Sequence, residues 1–469
     1  MATKQISEDL MRSPSLSLLK PNESITSVDT FCANEMVGYG REICSHRAIP
    51  SYIDGLKEST RKVLWCAKEH IRTSPLKVFQ LCGIVAYEMA YVHGDISLNK
   101  AIIGMAQPHN SNLNMLDGIG QFGGYHFRSA ASPRYVSVKL SPLFDNVFMD
   151  NDLLTPQYSD GVECEPKYML PIIPYVLCNS ISGIAMGFAS NIIARDMQDI
   201  VKECIRTLKS IQKGQSPKAK NLTPKIPGFK GSCTPSASTP KQPNDGNIWD
   251  VHGVYAINKK GDIHIEEFIG EQEAFLDDLN ALRDSKTITY ICNPDMTYDV
   301  KLKSGVDLDD KLKSKLHIES KLTENPTFVD ENENIKIFKY TSEIIPQFIK
   351  FRMQFYKTRL EKLIDKANLD ILIANNRIRF IKEHEKFYKK KDIDKLLEAD
   401  KFDKVKDSYE YLLSMRVDSL SAEKIKALED KLKDLKSALK ELKSTDYIDM
   451  YLSDLEELLG KYNKAKTKE

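Results

Sequence analysis

Two runs of apolar residues near the C-terminal end constrain the fold most. Ile364, Ala367, Ile371, Ala374, Ile378 and Ile381 advance in steps of three and four, and Ile425, Leu428, Leu432, Leu435, Leu439 and Leu442 repeat the pattern. A mean step of about 3.5 residues is the seam of a left-handed coiled coil. A helix of about 40 residues would span roughly 60 Å. Between the seams, residues 385–420 contain Tyr409, Tyr411, Leu412, Leu413 and Met415, enough apolar bulk for a small lobe. The expected form is an antiparallel coiled coil with a knob at its tip. Taken alone, the seams fit a generic helical hairpin used as a spacer as well.

Upstream the pattern changes. A length of 469 residues predicts about three domains, each able to bury its own core. Lys+Arg is 67 against Asp+Glu 66, so the net charge of +1 provides no global attraction to nucleic acid, and any basic surface must be local. The nine cysteines form no CxxC pair, and Cys66, Cys82, Cys178 and Cys204 sit among apolar residues. Buried reduced thiols, a reducing intracellular compartment and no zinc site are expected. The histidines are spread thinly, which argues against other metal sites. No run approaches the roughly 18 apolar residues of a membrane span, and the first residues lack a signal-peptide core.

Residues 1–36 read as an arm leading into the first domain. Ser74-Pro75 predicts an N-cap followed by a first-turn proline. Behind it Val78, Leu81, Cys82, Val85, Met89 and Val92 recur at helical spacing up to His93-Gly94. Asp95 can cap a second helix with Leu98, Ile102 and Met105 on one face. Two helices across a tight Gly-containing turn are what a helix-turn-helix requires. After the Gly-rich stretch 118–124, the alternation in Tyr135-Val136-Ser137-Val138 predicts a strand. Residues 171–335 read as α+β, with a helix over 197–209 and strands over 251–257 and 287–292. Residues 210–247, rich in Pro and Ser, read mostly as an exposed loop. The class is therefore α+β and multidomain: 37–170, 171–335, and 336–469 with its lobe near 385–420.

Several segments, in order, resemble the type IIA DNA topoisomerases. SAASPRY (129–135), with its approach LDGIGQFG (116–123), is similar to the active-site loop of that family. HRAIPSYIDGLKESTRKVLW (46–65), YVHGD (91–95), SGIAMGFASNI (182–192), IPGFKG (226–231) and YEYLLSMRVDSLSAEKI (409–425) resemble further family segments. A Pro-Arg-Tyr tripeptide alone would be weak, since most such tyrosines are packing residues; the ordered set is specific. The mixture of eukaryote-like and gyrase-like segments suits a large DNA virus, working in the host cytoplasm.

The resemblance implies a winged-helix domain, a tower domain, and a coiled coil closed by an exit gate. It makes Tyr135 the nucleophile that forms a 5′-phosphotyrosyl bond, preserving phosphodiester energy for religation. A free tyrosine hydroxyl is ionised in roughly one molecule in a thousand at pH 7, an offset of about 4 kcal/mol, so cations must assist. Arg134 would stabilise the pentavalent transition state, and His93 would bond a phosphate oxygen or move a proton. Arg47, Lys57, Arg61 and Lys62, with Tyr91 and Ser97, would meet the DNA backbone. Ile184, flanked by small residues, would wedge between base pairs and bend the duplex. Each has an ordinary alternative: a surface arginine, a capping histidine, a solvated helix face, a buried isoleucine.

The family's ATPase domain and its Mg²⁺-binding Toprim domain are not recognisable here, and no Glu-Gly-Asp-Ser motif is found. The chain therefore reads as an excised core that binds no cofactor itself and has no metal ligands. Mg²⁺ and ATP would act through other domains of the complete enzyme. Such a core should bind double-stranded DNA and form a homodimer without cleaving unaided. A non-catalytic DNA clamp and a pure coiled-coil scaffold are the competing classes.

Overall fold

The computed structural model describes residues 27–159, 161–236, 247–383, 393–415 and 422–467. It divides into two compact units, residues 1–349 with 457–469, and residues 350–456. Most of the expected N-terminal arm, residues 1–26, lies outside the described residues, as do 237–246 of the Pro-rich stretch and parts of the lobe.

In the first unit a helical stretch over residues 28–48 alternates α and π turns. It is followed by α1 (Glu58–His70), β1 (Leu76–Lys77), α2 (Val78–Glu88) and α3 (Asp95–Ala106), then β2 (Leu116–Ile119) and β3 (Ser137–Leu140). The strands form an antiparallel sheet in the order β1-β3-β2, with Leu76 opposite Val138 and Leu116 opposite Leu140. Val63, Leu64, Ala67, Leu81, Val85, Leu98 and Ile102 are buried with Leu116, Val138 and Leu140, so three helices and one small sheet share a core.

Local signals gave way to tertiary ones at three points here. The helix expected at Ser74-Pro75 starts at Val78, because β3 recruits Leu76 and Lys77 as a strand. Its end falls at Glu88 rather than His93-Gly94: Ala90 adopts a left-handed φ of 46°, which a helix cannot continue through. The strand expected from Tyr135 begins at Ser137, and residues 133–135 form a turn.

Next come the hairpins β4 (Pro156–Ser159)–β5 (Val162–Pro166) and β6 (Ile181–Ile184)–β7 (Ala189–Ile192), and then α4 (Met197–Gln212). The Pro-rich stretch is more ordered than expected. Pro224 bridges Arg195, Lys225 donates its N–H to the Ala194 carbonyl at 2.7 Å, and Ser232–Pro235 is a strand, β8. The single strand expected over 251–257 is two, β9 (Ile248–His252) and β10 (Val254–Ile257), which join different sheets. Gly253 makes that switch possible, since a Cβ there would sit 2.3 Å from the Glu267 carbonyl oxygen.

One sheet has the order β10-β11-β13-β12, with β11 (Ile263–Glu267), β12 (Ile288–Cys292) and β13 (Tyr298–Leu302). Helices α5 (Gln272–Asp284) and α6 (Asp310–Lys315) pack on it around Phe268, Phe275, Leu279, Tyr298 and Leu316. The other has the order β14-β9-β8, with β14 at Glu319–Thr323. Beside it the buried Glu324 carboxylate accepts from Arg195, from Trp249 Nε1 at 2.9 Å and from the Ile193 N–H at 2.8 Å. A buried ion pair stands only when its remaining hydrogen-bonding capacity is filled, as here.

Most of α7 (Ile344–Lys382) belongs to the second unit, with α8 (Ile393–Ala399), α9 (Glu410–Leu413), α10 (Ala422–Ser444) and the first half of α11 (Tyr447–Lys466). The α10 seam residues Ile425 to Leu442 are all half-buried between exposed neighbours, and on α7 Ala374, Ile378 and Ile381 are buried. Lys382 pairs with Glu429 at 2.7 Å, whereas Tyr356 and Arg359, near the start of α7, bond Asp454 at 2.9 and 2.6 Å. The arms therefore run antiparallel. The returning arm is broken at Thr445-Asp446, where the Asp446 carboxylate accepts from the Ile448 N–H. Leu397, Phe402, Tyr409 and Leu412 form the small core between the seams.

Candidate active site

The connection between β2 and β3 is held in one shape by backbone bonds. Gly123 has a φ of 83°, and a Cβ on it would lie 2.5 Å from the Phe127 carbonyl oxygen. Gly124 donates to that same oxygen at 2.7 Å, Ala131 donates to Gln121 at 2.9 Å, and Gln107 Nε2 donates to Phe122 and Arg128 at 3.0 and 2.8 Å. The loop also solves a problem for α2, whose first N–H groups have no helical acceptor. Val78 donates to Val136 at 3.1 Å, and Phe79 to Pro133 at 3.3 Å.

Tyr135 stands at the end of this loop with its N–H bonded to the Ser132 carbonyl at 2.8 Å. Its side chain is 69% exposed, while the next residue, Val136, is buried. Lys77 Nζ donates to the Tyr135 carbonyl at 2.9 Å. That cation was not among the residues singled out by sequence, although its place just ahead of the helix would have marked it. Arg134 is exposed beside Tyr135, and among the described residues its guanidinium has no hydrogen bond or ion pair.

His93 and Ser97 are exposed in the turn between α2 and α3 and in the first turn of α3. The His93 ring meets the Tyr91 ring edge-on at 5.4 Å between centroids. Half-buried Tyr91 has its hydroxyl pKa raised, chiefly by burial, with Arg47 near enough to oppose the shift. Among the described residues no hydrogen bond or ring contact joins Tyr135 to His93 or Ile184.

The four basic residues expected at phosphates separate into two kinds. Arg47 is free to solvent, whereas Arg61 and Lys62 are buried. The Arg61 guanidinium binds Asp54 at 2.6 Å and the Leu56 carbonyl at 3.2 Å. Lys62 Nζ binds Glu165 at 2.9 Å and the Met89 carbonyl at 3.0 Å. Facing outward would leave Asp54 and Glu165 buried without a counter-charge, so both cations serve the interior rather than a phosphate. Lys57 lies between the two kinds: its Nζ donates to the Ser182 carbonyl at 2.9 Å, and burial lowers its pKa.

That Lys57 bond reaches the hairpin that carries Ile184. Gly183 packs so closely that a Cβ would lie 2.1 Å from the Ala48 carbonyl oxygen. Beyond this anchored base the strand ends on Ile184, which is 85% exposed, with Met186 and Phe188 also exposed in the turn. Water gives an isoleucine no reason to stand there, so the residue is not the buried one of the ordinary alternative. Met186 and Phe188 extend the apolar tip beyond the single residue expected from sequence.

Comparison with known proteins follows the same lines. The sequence model of the DNA gyrase/topoisomerase IV A-subunit family matches residues 47–456. The chain is 28% identical to the putative mitochondrial DNA topoisomerase 2 of Caenorhabditis elegans over 92% of its length, and covers 39% of that protein. It is 27% identical to the DNA topoisomerase medium subunit of Enterobacteria phage T4, over 91% of this chain and 97% of the phage protein. Among solved structures, the DNA-binding, cleavage and re-ligation domain of Plasmodium falciparum topoisomerase II superposes with a TM-score of 0.77 at 25% identity, over 99% of this chain and 69% of that one. The chain thus spans well under half of the C. elegans relative and nearly all of the phage protein. From the family match, supported by the fold and the ordered segments around Tyr135, it follows that this chain belongs to the DNA gyrase/topoisomerase IV A-subunit family of DNA topoisomerases.

Proposed function

We propose that this chain is the breakage-reunion core of an ATP-dependent type II topoisomerase, with Tyr135 as nucleophile. The Tyr135 phenolic oxygen attacks a backbone phosphorus, the bond to the 3′ oxygen breaks, and a 5′-phosphotyrosyl bond forms. The phenolic proton leaves to a base or water, and the departing 3′ oxygen takes one up. Religation is the reverse, so no bond energy is lost. Arg134, exposed and unpaired among the described residues, supplies charge to the pentavalent phosphorus. His93 is the candidate for proton movement or phosphate bonding. Arg47, Lys57, Tyr91 and Ser97 contact the backbone, and Ile184 opens a base step. The observation that carries this reading is an exposed tyrosine on a loop stapled at both ends, in a chain of this family.

On this reading residues 37–170 are the winged-helix domain, 171–335 the tower, and 336–469 the coiled coil with its exit gate. The working form is a homodimer on double-stranded DNA, passing a second duplex through the break. The residues here do not fit the Mg²⁺ that the reaction requires. Among the described residues one group of His, Cys and carboxylate side chains could hold a metal, namely Cys66, His70 and Glu88. It lies at the far end of α2 from Tyr135, about 15 Å along the helix. Carboxylates for Mg²⁺ and the site for ATP would then belong to another segment or another chain, an arrangement that suits a relative such as the phage medium subunit. Among the described residues no helix is long and apolar enough to cross a membrane. A viral source accords with the mixed segments and the phage relative, and work in the host cytoplasm is proposed along with it.

Replacing Tyr135 by Phe in the complete enzyme tests the reading. Relaxation and cleavage should vanish while DNA affinity persists; relaxation that survives would defeat the assignment of Tyr135 as nucleophile.

A further inference from the structure

A cluster that the DNA reaction does not use lies where α1 meets α2. Cys66 and His70 are four residues apart on α1, hence on one face, and Glu88 is the last residue of α2. His70 Nε2 is 2.7 Å from Glu88 Oε2, Cys66 Sγ is 3.8 Å from the same oxygen, and all three ligand atoms lie within 4.8 Å of one another. Zinc bonds of about 2.3 Å to sulfur and about 2.0 Å to nitrogen and oxygen place tetrahedral ligands roughly 3.3–3.6 Å apart. Side-chain movements of about 1 Å would reach that spacing.

We propose that Cys66, His70 and Glu88 form a Zn²⁺ site with three protein ligands and a fourth position open to solvent. Thiolate, imidazole and a single carboxylate suit Zn²⁺ and not Mg²⁺, which takes oxygen ligands. Cys66 forms the inner wall at 1% exposure, while the His70 and Glu88 side chains are 33% and 36% exposed, so an ion can enter from solvent. A buried structural cysteine ordinarily faces apolar neighbours; this one faces a carboxylate. Loading forms Zn–S, Zn–N and Zn–O bonds, releases the thiol proton to water and replaces the His70–Glu88 hydrogen bond. The ion would clamp α1 to α2, the helix whose other end holds the Tyr135 turn. The inference stands whether or not Tyr135 is the nucleophile.

Co²⁺ titrated into the metal-free 469-residue chain tests the site. Expected are one ion per chain, a thiolate-to-cobalt charge-transfer band in the near ultraviolet, and its displacement by Zn²⁺. Cys66→Ser should abolish the band, and His70→Gln and Glu88→Gln should weaken Co²⁺ binding by roughly tenfold or more. Absence of the band in the unaltered chain, or its persistence in Cys66→Ser, would overturn the proposal. Should Cys66→Ser fail to fold, unchanged Co²⁺ affinity in a normally melting His70→Gln variant would overturn it as well.

Discussion

Tyr135 faces water because Val136 turns inward and the strand begins only at Ser137, leaving Tyr135 in the turn before it. The alternating run therefore predicts a strand two residues too early, while the SAASPRY resemblance singles out the residue that ends the turn. Arg134 is the next test: its replacement by Ala should lower the cleavage rate by about 10²–10³ with little change in DNA affinity, as for other losses of transition-state charge. A loss confined to affinity would make it a phosphate anchor. Arg61 behaves differently. Its replacement by Ala should destabilise the fold by about 3–5 kcal/mol, because buried Asp54 would lose its partner; denaturant titration reads that directly. Sequence could not tell Arg61 and Lys62 from solvent-facing cations, since Glu165, the partner of Lys62, lies 103 residues away. His46 adds a pH dependence. Its hydrogen bond to Glu58 raises its pKa above the ordinary 6.5. That contribution to stability is complete below about pH 6.5 and disappears as pH rises through the raised value. Melting curves of His46→Asn should lose this segment of the pH profile.

Among elements, the β6–β7 hairpin joins a rigid base to an apolar tip. Gly183→Ala should cost about 1–3 kcal/mol by overpacking against the Ala48 carbonyl. Ile184→Ala should leave stability within about 0.5 kcal/mol, as exposed substitutions do, while reducing DNA bending in a fluorescence assay. Bending equal to that of the unaltered protein would remove the wedge role. The coiled-coil seams were the most legible elements, because a period of about 3.5 residues records burial on one face: Ile425 through Leu442 are the half-buried residues of α10. The break at Thr445-Asp446 was not legible, since both sides of it are good helix. Nor was the start of α2, where pairing of Leu76 with Val138 overrode a local Ser-Pro cap. In sequence Cys66 reads as a buried thiol, with no zinc site in the chain, because the third member of its group, Glu88, arrives only through packing of a second helix.

For the molecule as a whole, sequence order carried the family and structure carried the division of labour. Residues 1–349 with 457–469 hold the loop that carries Tyr135 and the β6–β7 hairpin, and residues 350–456 hold the coiled-coil arms and lobe. Deleting residues 385–420 should weaken self-association in sedimentation without abolishing DNA binding by the first unit. A dimer of unchanged strength would place the contact elsewhere. The central claim is chemical, and trapping answers it. Cleavage by the complete enzyme with Mg²⁺ should be stopped with denaturant, the protein digested and the nucleotide-bearing peptide sequenced. The account predicts a nucleotide joined through its 5′ phosphate to Tyr135, within the peptide that contains Ser129 to Tyr135. A nucleotide attached to any other side chain, or through its 3′ phosphate, would contradict it.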